Sequence, residues 1–380
     1  MRTTSPRRVL YWSERFWPTI GGVGISASKL LPALRARGYE FVVVTLKDSF
    51  DLPEEDHFNG ISVYRFPFWS SLTKGNVTQI VELRRRVAQL KQTFLPDLVH
   101  IGFLGSSVVF HLQTLGAHPS PLLVSMDSFL PNQELGRDSL VGRTFRIADW
   151  VTCVSEARLA EARKRMPEIT NRSSFIYNGR EVPTCRPEPL SFEAPRLLCL
   201  GRLDRIKGFD IALSAFASVV RCFPKARLVI AGDGPERAEL ERQAARLGLE
   251  GSMDFVGWVR PDDVAALMNS ATIVVIPSRN EGLPNVAKEA ALLARPIVAT
   301  DVGGIPEAVV HGETGLLVGK EDAPALATTI NLLLENPEAA VAMGRAGRLR
   351  AQQLFSLERY IDAYDVLYRK LIRGVKQRPQ

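Results

Sequence analysis

Short β-branched runs alternate with segments of helical periodicity along the whole chain. The strand-like runs of the first half are VLYW, FVVVT, ISVYRF, DLVHI, PLLVS, WVTCVS and SSFIY. The second half repeats the pattern with RLLCLG, ARLVIAG, SMDFVG, ATIVVIP, RPIVAT and TGLLV. Because runs that are apolar at successive positions are typical of strands buried on both faces, the alternation predicts an α/β fold with doubly wound parallel sheets.

A proline-rich stretch, Val182 to Pro195, interrupts this pattern and is interpreted as an interdomain linker. A chain of 380 residues is long enough for two domains, each with its own core. We therefore expect a Rossmann-like domain over residues 1–185 and a second one over residues 190–356. The last segment, residues 357–376, has the apolar spacing of an amphipathic helix.

The chain has 48 lysines and arginines against 41 acidic residues, a formal charge of +7, and +6 of this belongs to residues 1–190. The excess suits an acidic acceptor, an anionic membrane surface or simple solubility. Nothing in the sequence looks like a nucleic-acid-binding module. The cysteines form no paired motif, which favours a reducing compartment. No run of about 18 apolar residues is present. We expect a cytoplasmic protein, with peripheral contact at the inner face of the membrane as one use of the basic half.

Glu281 and Glu289 are the clearest candidates for chemistry, in the segment NEGLPNVAKEA after the strand-like run ATIVVIP. Open α/β sheets bind ligands at the carboxyl ends of their strands. A helix that starts between the two glutamates would point backbone N–H groups at an anion. Carboxylates there can accept hydrogen bonds from sugar or ribose hydroxyls. The alternative is two exposed glutamates near a helix start, where acidic residues are favoured anyway.

Arg202 and Lys207 follow the strand-like run RLLCLG in GRLDRIKGFD. A pair of cations just past a strand end is suited to clamping a diphosphate. Two surface cations at a helix start are the alternative. The glycines of PTIGGVG and of VIAGDGPER allow close approach of a ligand but carry little weight individually. The second motif also lacks the third glycine of a dinucleotide-binding fingerprint, which argues against a dehydrogenase.

The second half resembles the donor-binding domain of the retaining glycosyltransferases of family four. The matching segments follow the family's order: GRLDRIKGFDIALSAFA, LVIAGDGPERAELE, DFVGWV and NSATIVVIPSRNEGLPNVAKEAALLARPIVATDVGGIPEAVVHGETGLLV. Sparser matches in the first half are PTIGGVG, DLVHI, VTCVSE and IYNGRE. The resemblance implies the GT-B fold, in which two Rossmann-like domains face a central cleft and the C-terminal helix crosses back to the first domain.

The resemblance also implies roles for individual residues. Arg202 and Lys207 would bind the donor diphosphate, Glu281 would contact the transferred sugar and support the transition state, and Glu289 would bind the ribose hydroxyls. Further donor contacts are expected from Gly21, Gly22, Gly282, Leu283, Pro284, Asn285, Val286 and Trp258. Pro284 has no N–H to donate, and for Trp258 a place in the core is an equal alternative.

The acceptor side departs from the family pattern. Many relatives have a histidine in the segment that corresponds to LLVSMDSFLPNQ, and an ungapped comparison places Asp127 there. Asp127 could bind a hydroxyl of the sugar or acceptor, but it could equally be a turn residue. His100, at the end of DLVHI, is a second acceptor-side candidate, with a structural histidine as the alternative. No histidine or cysteine spacing indicates a metal site.

These features predict retaining transfer from a nucleotide-diphosphate sugar to a hydroxyl acceptor that is a glycan, a lipid-linked molecule or a small molecule. UDP-sugars are the first choice of donor, ahead of GDP- and ADP-sugars, and no metal or other cofactor is expected. The alternatives are a non-catalytic nucleotide- or glycan-binding protein on the same scaffold and, less favoured, a nucleotide-sugar epimerase.

Overall fold

The computed structural model describes residues 6–18, 22–47, 52–126, 136 and 138–375. The chain forms two compact units. The first comprises Met1–Gly179 together with Glu358–Gln380, and the second comprises Arg180–Leu357. The predicted boundary, in the proline-rich segment, lies a few residues further along the chain. Gly21 and Asp127 fall outside the described residues.

The first unit is built on an eight-stranded sheet in the order β3-β4-β2-β1-β5-β6-β7-β8. Central strands are buried on both faces, as their continuous apolar runs predict: Val9, Leu10 and Trp12 of β1 have no exposed surface. The elements are β1 Arg7–Ser13, α1 Gly22–Ala36, β2 Tyr39–Leu46, β3 Glu55–Phe58, β4 Ile61–Phe66, α2 Phe68–Thr73, α3 Val77–Phe94, β5 Leu98–Phe103, α4 Val108–Gln113, β6 Leu122–Met126, α5 Leu140–Ile147, β7 Trp150–Cys153, α6 Glu156–Arg165 and β8 Ser173–Phe175.

Strand β3 is the one element of this sheet that the hydrophobic pattern does not predict. It pairs antiparallel with β4, whereas all other pairs in the sheet are parallel. Asn59 and Gly60 connect the two strands with φ angles of 48° and 74°. Both central residues of a type I′ hairpin turn need positive φ, and Asn-Gly is the preferred sequence for it. A short polar edge strand lacks the apolar run that marks a central strand. The signal for this hairpin in the sequence was the Asn59-Gly60 dipeptide.

The second unit has a six-stranded parallel sheet in the order β11-β10-β9-β12-β13-β14. All six strands predicted for this half are present. The elements are β9 Arg196–Leu200, α7 Phe209–Cys222, β10 Arg227–Ala231, α8 Arg237–Arg246, β11 Met253–Gly257, α9 Pro261–Asn269, β12 Ile273–Ile276, α10 Asn285–Leu292, β13 Ile297–Thr300, α11 Ile305–Ala308, β14 Gly315–Val318, α12 Ala323–Glu335 and α13 Pro337–Leu354. The strand order reverses between β9 and β12, which is where a doubly wound sheet offers its ligand crevice.

The last helix, α14 (Leu357–Val375), packs on the first unit. Its apolar side is buried, including Tyr364 and Tyr368, as the spacing predicts. Its polar side is tied to the same unit, because the Arg37 guanidinium donates to Asp362 at 2.7 Å and pairs with Glu358. The C-terminal segment therefore contributes to the core and the surface of the N-terminal sheet.

Candidate active site

The predicted donor-binding residues of the second unit lie on two loops that leave neighbouring strands. Arg202 and Lys207 follow β9, and Glu281 follows β12. These strands are adjacent in the sheet at the point where its order reverses. The fold thus brings together, at the carboxyl ends of two parallel strands, groups that are separated by more than seventy residues in sequence.

Glu281 and Lys207 form an ion pair in this structure. The Lys207 Nζ lies 2.6 Å from the Glu281 Oε1, and the Ser278 hydroxyl donates to the same oxygen at 2.8 Å. Glu281 is only 9% exposed, whereas the Lys207 side chain is 28% exposed. A buried carboxylate needs charge-assisted hydrogen bonds of this kind, since its burial without them is costly.

Arg202 is arranged differently, with 66% of its side chain exposed. Its Nε lies 3.8 Å from Asp204 Oδ2, a weak surface contact. The backbone beside it is well fixed, because Leu203 N donates to Asp233 O and Glu236 N donates to Leu203 O, both at 2.9 Å. An exposed guanidinium on a fixed backbone can reach a ligand without breaking a strong interaction.

The glycines of the GDG sequence hold the loops after β9 and β10 close together. A Cβ added at Gly232 would lie 1.9 Å from the Gly201 carbonyl oxygen, and one added at Gly234 would lie 2.4 Å from the Leu203 carbonyl oxygen. These positions exclude any side chain. The motif therefore supports the loop that carries Arg202.

A second glycine contact fixes the backbone of Glu281. Gly303, after β13, has a φ of 53°, and an added Cβ would lie 2.0 Å from the Glu281 carbonyl oxygen. The neighbouring Gly304 N–H donates to that oxygen at 3.2 Å. Loops from β12 and β13 thus pack backbone against backbone, so that Glu281 is anchored at its main chain as well as at its carboxylate.

Glu289 lies on α10 and pairs with Arg180, whose Nε is 3.0 Å from Glu289 Oε1. The Arg180 side chain is 9% exposed, while that of Glu289 is 30% exposed. Neither Arg180 nor Ser278 was predicted from the sequence as a site residue. The available signals were the IYNGRE match for Arg180, and for Ser278 its place directly after a strand and three residues before Glu281.

The segment from Gly282 to Val286 leads into α10. Pro284 is the N-cap residue, and α10 begins at Asn285. Leu283 is buried, with 6% exposure. Helix starts concentrate partial positive charge and backbone N–H groups, which suits an anionic ligand. The predicted backbone-binding segment therefore coincides with a helix N-terminus beside Glu281.

Trp258 lies directly after the edge strand β11 and is 68% exposed. The alternative of a buried core tryptophan is therefore wrong. Gly257, which precedes it, has a φ of 73°, and its carbonyl oxygen accepts a hydrogen bond from Gly232 N at 2.7 Å. The backbone next to Trp258 is thus tied to the loop after β10.

His100, the acceptor-side candidate, lies in the interior of the first unit and is 1% exposed. Its Nδ1 is 2.6 Å from the Tyr368 hydroxyl, and its Nε2 is 2.8 Å from the Ser125 hydroxyl. Burial lowers the pKa of His100 to about 3, so the ring is neutral at ordinary pH. With both ring nitrogens bonded to internal hydroxyls, the structure favours the structural alternative for His100 and corrects the acceptor-side hypothesis.

The described residues contain no group of three or more His, Cys, Asp or Glu side chains that could hold a metal ion. No helix among those described is long and apolar enough to cross a membrane. Gly22 begins α1, while Gly21 lies outside the described residues, as does Asp127.

Comparison with known proteins assigns the chain to a family. Residues 20–182 match the family model "Glycosyltransferase Family 4", and residues 186–350 match "Glycosyl transferases group 1". A glycogen synthase of Mycobacterium tuberculosis is 28% identical over 97% of this chain and 96% of its own length. Both halves of the chain are therefore accounted for by glycosyltransferase sequences.

Solved structures show the same architecture. Sucrose-phosphate synthase from Thermosynechococcus elongatus superposes with a TM-score of 0.84 at 24% identity, covering 97% of this chain and all of that one. The Anabaena protein HepE, in complex with UDP and glucose, gives a TM-score of 0.80 at 22% identity, covering 96% and 100%. The fold and these matches define a GT-B glycosyltransferase that uses a nucleotide-sugar donor. The chain belongs to glycosyltransferase family four.

Proposed function

We propose that this chain is a retaining glycosyltransferase that moves a sugar from a UDP-sugar to a hydroxyl acceptor. The observation that carries the proposal is the convergence of Arg202, Lys207 and Glu281 on the two loops that flank the reversal of strand order in the second unit. Lys207 pairs with the buried Glu281, which lies shortly before the start of α10, and Arg202 lies on the same loop as Lys207.

Each group has a task in the transfer. As the glycosidic bond breaks, negative charge builds on the diphosphate, where Arg202, Lys207 and the N-terminus of α10 would stabilise it. Glu281 would accept hydrogen bonds from the hydroxyls of the sugar as that ring becomes positively charged. Lys207 would exchange its partner from Glu281 to the diphosphate when the donor binds.

Glu289 would bind the ribose hydroxyls through its carboxylate, with Arg180 fixing the orientation of that carboxylate by the 3.0 Å contact. Trp258 and the backbone groups from Gly282 to Val286 would complete the donor site. In retaining transfer of this type, the leaving phosphate deprotonates the incoming hydroxyl on the same face of the sugar. An enzymic nucleophile is then unnecessary.

The acceptor would bind on the first domain, over residues 1–185. With His100 bonded internally, Asp127 is the remaining candidate from the sequence. The basic charge of this domain suits an acidic or lipid-linked acceptor.

UDP is proposed as the donor nucleotide because HepE, which shares the fold, was solved with UDP and glucose. Thermal-shift titration against UDP-, GDP- and ADP-sugars tests this choice. A ligand that binds the folded state raises the unfolding midpoint with its concentration. A response to GDP- or ADP-sugars alone would contradict the UDP assignment while leaving the reaction class intact.

The reaction itself is tested by incubating the chain with the selected donor and a panel of hydroxyl acceptors, and by determining the anomeric configuration of the product by NMR. Retention supports the proposal, and inversion contradicts it. Donor binding with neither transfer nor hydrolysis would favour the non-catalytic alternative. Conversion of the donor to its epimer without an acceptor would favour the epimerase.

We also propose peripheral contact of the first unit with anionic membrane. Exposed apolar and basic side chains on α2 and α3 are Trp69, Val77, Val81, Arg84 and Arg85, of which Arg85 pairs with the exposed Glu82. Aromatic and basic groups together favour an anionic interface. Co-sedimentation with phosphatidylglycerol vesicles but not with phosphatidylcholine vesicles is expected, and equal behaviour with both would reject the contact.

A further inference from the structure

Ser278 is a buried hydroxyl in direct contact with the proposed sugar-binding carboxylate. It follows β12 and is 1% exposed. Its Oγ lies 2.8 Å from Glu281 Oε1, the oxygen that also contacts the Lys207 Nζ. Since an ionised carboxylate only accepts hydrogen bonds, the serine hydroxyl is the donor.

The backbone of Ser278 is itself held in place. The Thr300 hydroxyl, on β13, donates to the Ser278 carbonyl oxygen at 2.5 Å. Thr300 is 1% exposed, so this bond lies inside the unit. The Ser278 hydroxyl therefore projects from a backbone that two adjacent strands define, and it presents a fixed direction to Glu281.

In the proposed reaction, the Glu281 carboxylate must keep its position after Lys207 has turned to the diphosphate. The ion pair with Lys207 cannot hold it there at that stage. If Lys207 turns to the diphosphate, a carboxylate that is 9% exposed loses its cation. The hydrogen bond from Ser278 to the same carboxylate oxygen does not depend on Lys207. The Ser278 hydroxyl lies on a different loop segment from Lys207 and does not need to move.

We propose that Ser278 is a positioning residue: its hydroxyl keeps the Glu281 carboxylate directed at the sugar while Lys207 exchanges to the diphosphate. The inference rests on the proposed function, because it requires Glu281 to act on the donor sugar. It adds a residue that acts through Glu281 and does not touch the diphosphate.

The test is Ser278→Ala, assayed by release of nucleoside diphosphate from UDP-, GDP- and ADP-glucose, with water as acceptor. A hydrogen bond to a charged group corresponds to about a 10- to 100-fold effect, so turnover should fall by this factor. Affinity for UDP, measured by calorimetry, should stay unchanged because the diphosphate clamp is intact. A lower kcat with an unchanged nucleotide Kd is the expected signature.

Thr272→Val is the matched control. Thr272 is fully buried and precedes β12, where its hydroxyl donates to the Ser191 carbonyl oxygen and accepts from Arg196 N. The Thr272→Val substitution thus removes a buried hydrogen-bonding hydroxyl at the opposite end of β12 from Ser278. We expect Thr272→Val to lower the unfolding midpoint without lowering kcat in folded protein.

A double-mutant cycle separates action through Glu281 from a general structural role. In a Glu281→Ala background, Ser278→Ala should cause no further loss of turnover, because the carboxylate that it positions is gone. Additive losses, wild-type turnover in Ser278→Ala, or equal losses in Ser278→Ala and Thr272→Val would each overturn the inference. If the unmodified chain turns over no nucleotide-sugar donor, either with water or with the panel of hydroxyl acceptors, or if Glu281→Ala is fully active, the proposed function itself fails.

Discussion

The Lys207 Nζ lies 2.6 Å from Glu281 Oε1, so a cation proposed for the diphosphate and a carboxylate proposed for the sugar are paired with each other in this structure. The pairing connects the two halves of the donor site. Any ligand that attracts Lys207 must compete with Glu281, and any change at Glu281 alters what Lys207 can bind. Removal of the carboxylate charge should therefore lower turnover without weakening UDP binding.

Glu281→Gln is expected to lower turnover of the donor at least about 100-fold, the scale for loss of a group that stabilises transition-state charge. UDP affinity should be equal or higher, since Lys207 no longer pairs with a full negative charge. Release of UDP gives the first quantity and calorimetry gives the second. Glu338→Gln, at an exposed glutamate in the first turn of α13, is the control and should change neither. Weaker UDP binding in Glu281→Gln would show that the Glu281 carboxylate and the diphosphate do not compete for Lys207.

Arg202→Ala should weaken UDP binding by about 1.5–3 kcal/mol, the range for hydrogen bonds to charged groups. Its side chain is 66% exposed and makes only a 3.8 Å contact with Asp204, so the unfolding midpoint should not change. Arg221→Ala, at an exposed arginine in the last turn of α7, removes the same charge from the same unit and should leave UDP affinity intact. Equal affinities for the two variants would remove Arg202 from the diphosphate site.

The sequence was sufficient for the central strands of both sheets because burial on both faces leaves a continuous apolar run. The polar edge strand β3 lacked that run and was missed. Side-chain pairs were harder to predict from the sequence, because Lys207 and Glu281 are 74 residues apart and only the folded sheet brings their loops together. His100 shows the same limit. Its structural role depends on Tyr368, 268 residues away on a helix that packs over its strand.

Gly303→Ala should destabilise the second unit far more than Gly312→Ala. Both glycines have positive φ, 53° and 79°, so both substitutions incur a left-handed backbone cost of about 1 kcal/mol. An added Cβ meets nothing within 4 Å at Gly312, but it lies 2.0 Å from the Glu281 carbonyl oxygen at Gly303. We expect about 3 kcal/mol or more at Gly303, from strain together with overpacking, and a fall in turnover as Glu281 moves. Comparable denaturation curves for the two variants would show that this backbone contact is not tight.

The buried lysine Lys91 should make the stability of the first unit depend on pH. It is 1% exposed, and its Nζ contacts the carbonyl oxygens of His111 and Thr114 at 3.2 Å. Burial lowers the pKa of Lys91 from 10.5 to about 7. Below pH 7 the lysine is charged in both the folded and the unfolded state, and the full cost of burying that charge is present. Between pH 7 and 10.5 the unfolded chain binds more protons, so the free energy of unfolding rises with pH.

The contribution of Lys91 alone should raise the free energy of unfolding by about 2 kcal/mol between pH 7 and pH 9. His111 does not titrate in this window, because burial and then the Lys91 charge hold its pKa well below the usual range. Urea unfolding at the two pH values should show the rise in the unmodified chain and lose it in Lys91→Met. Lys164→Met, at an exposed lysine on α6, should retain it. A rise that survives in Lys91→Met would have to come from another group, and the assignment to the buried lysine would be wrong.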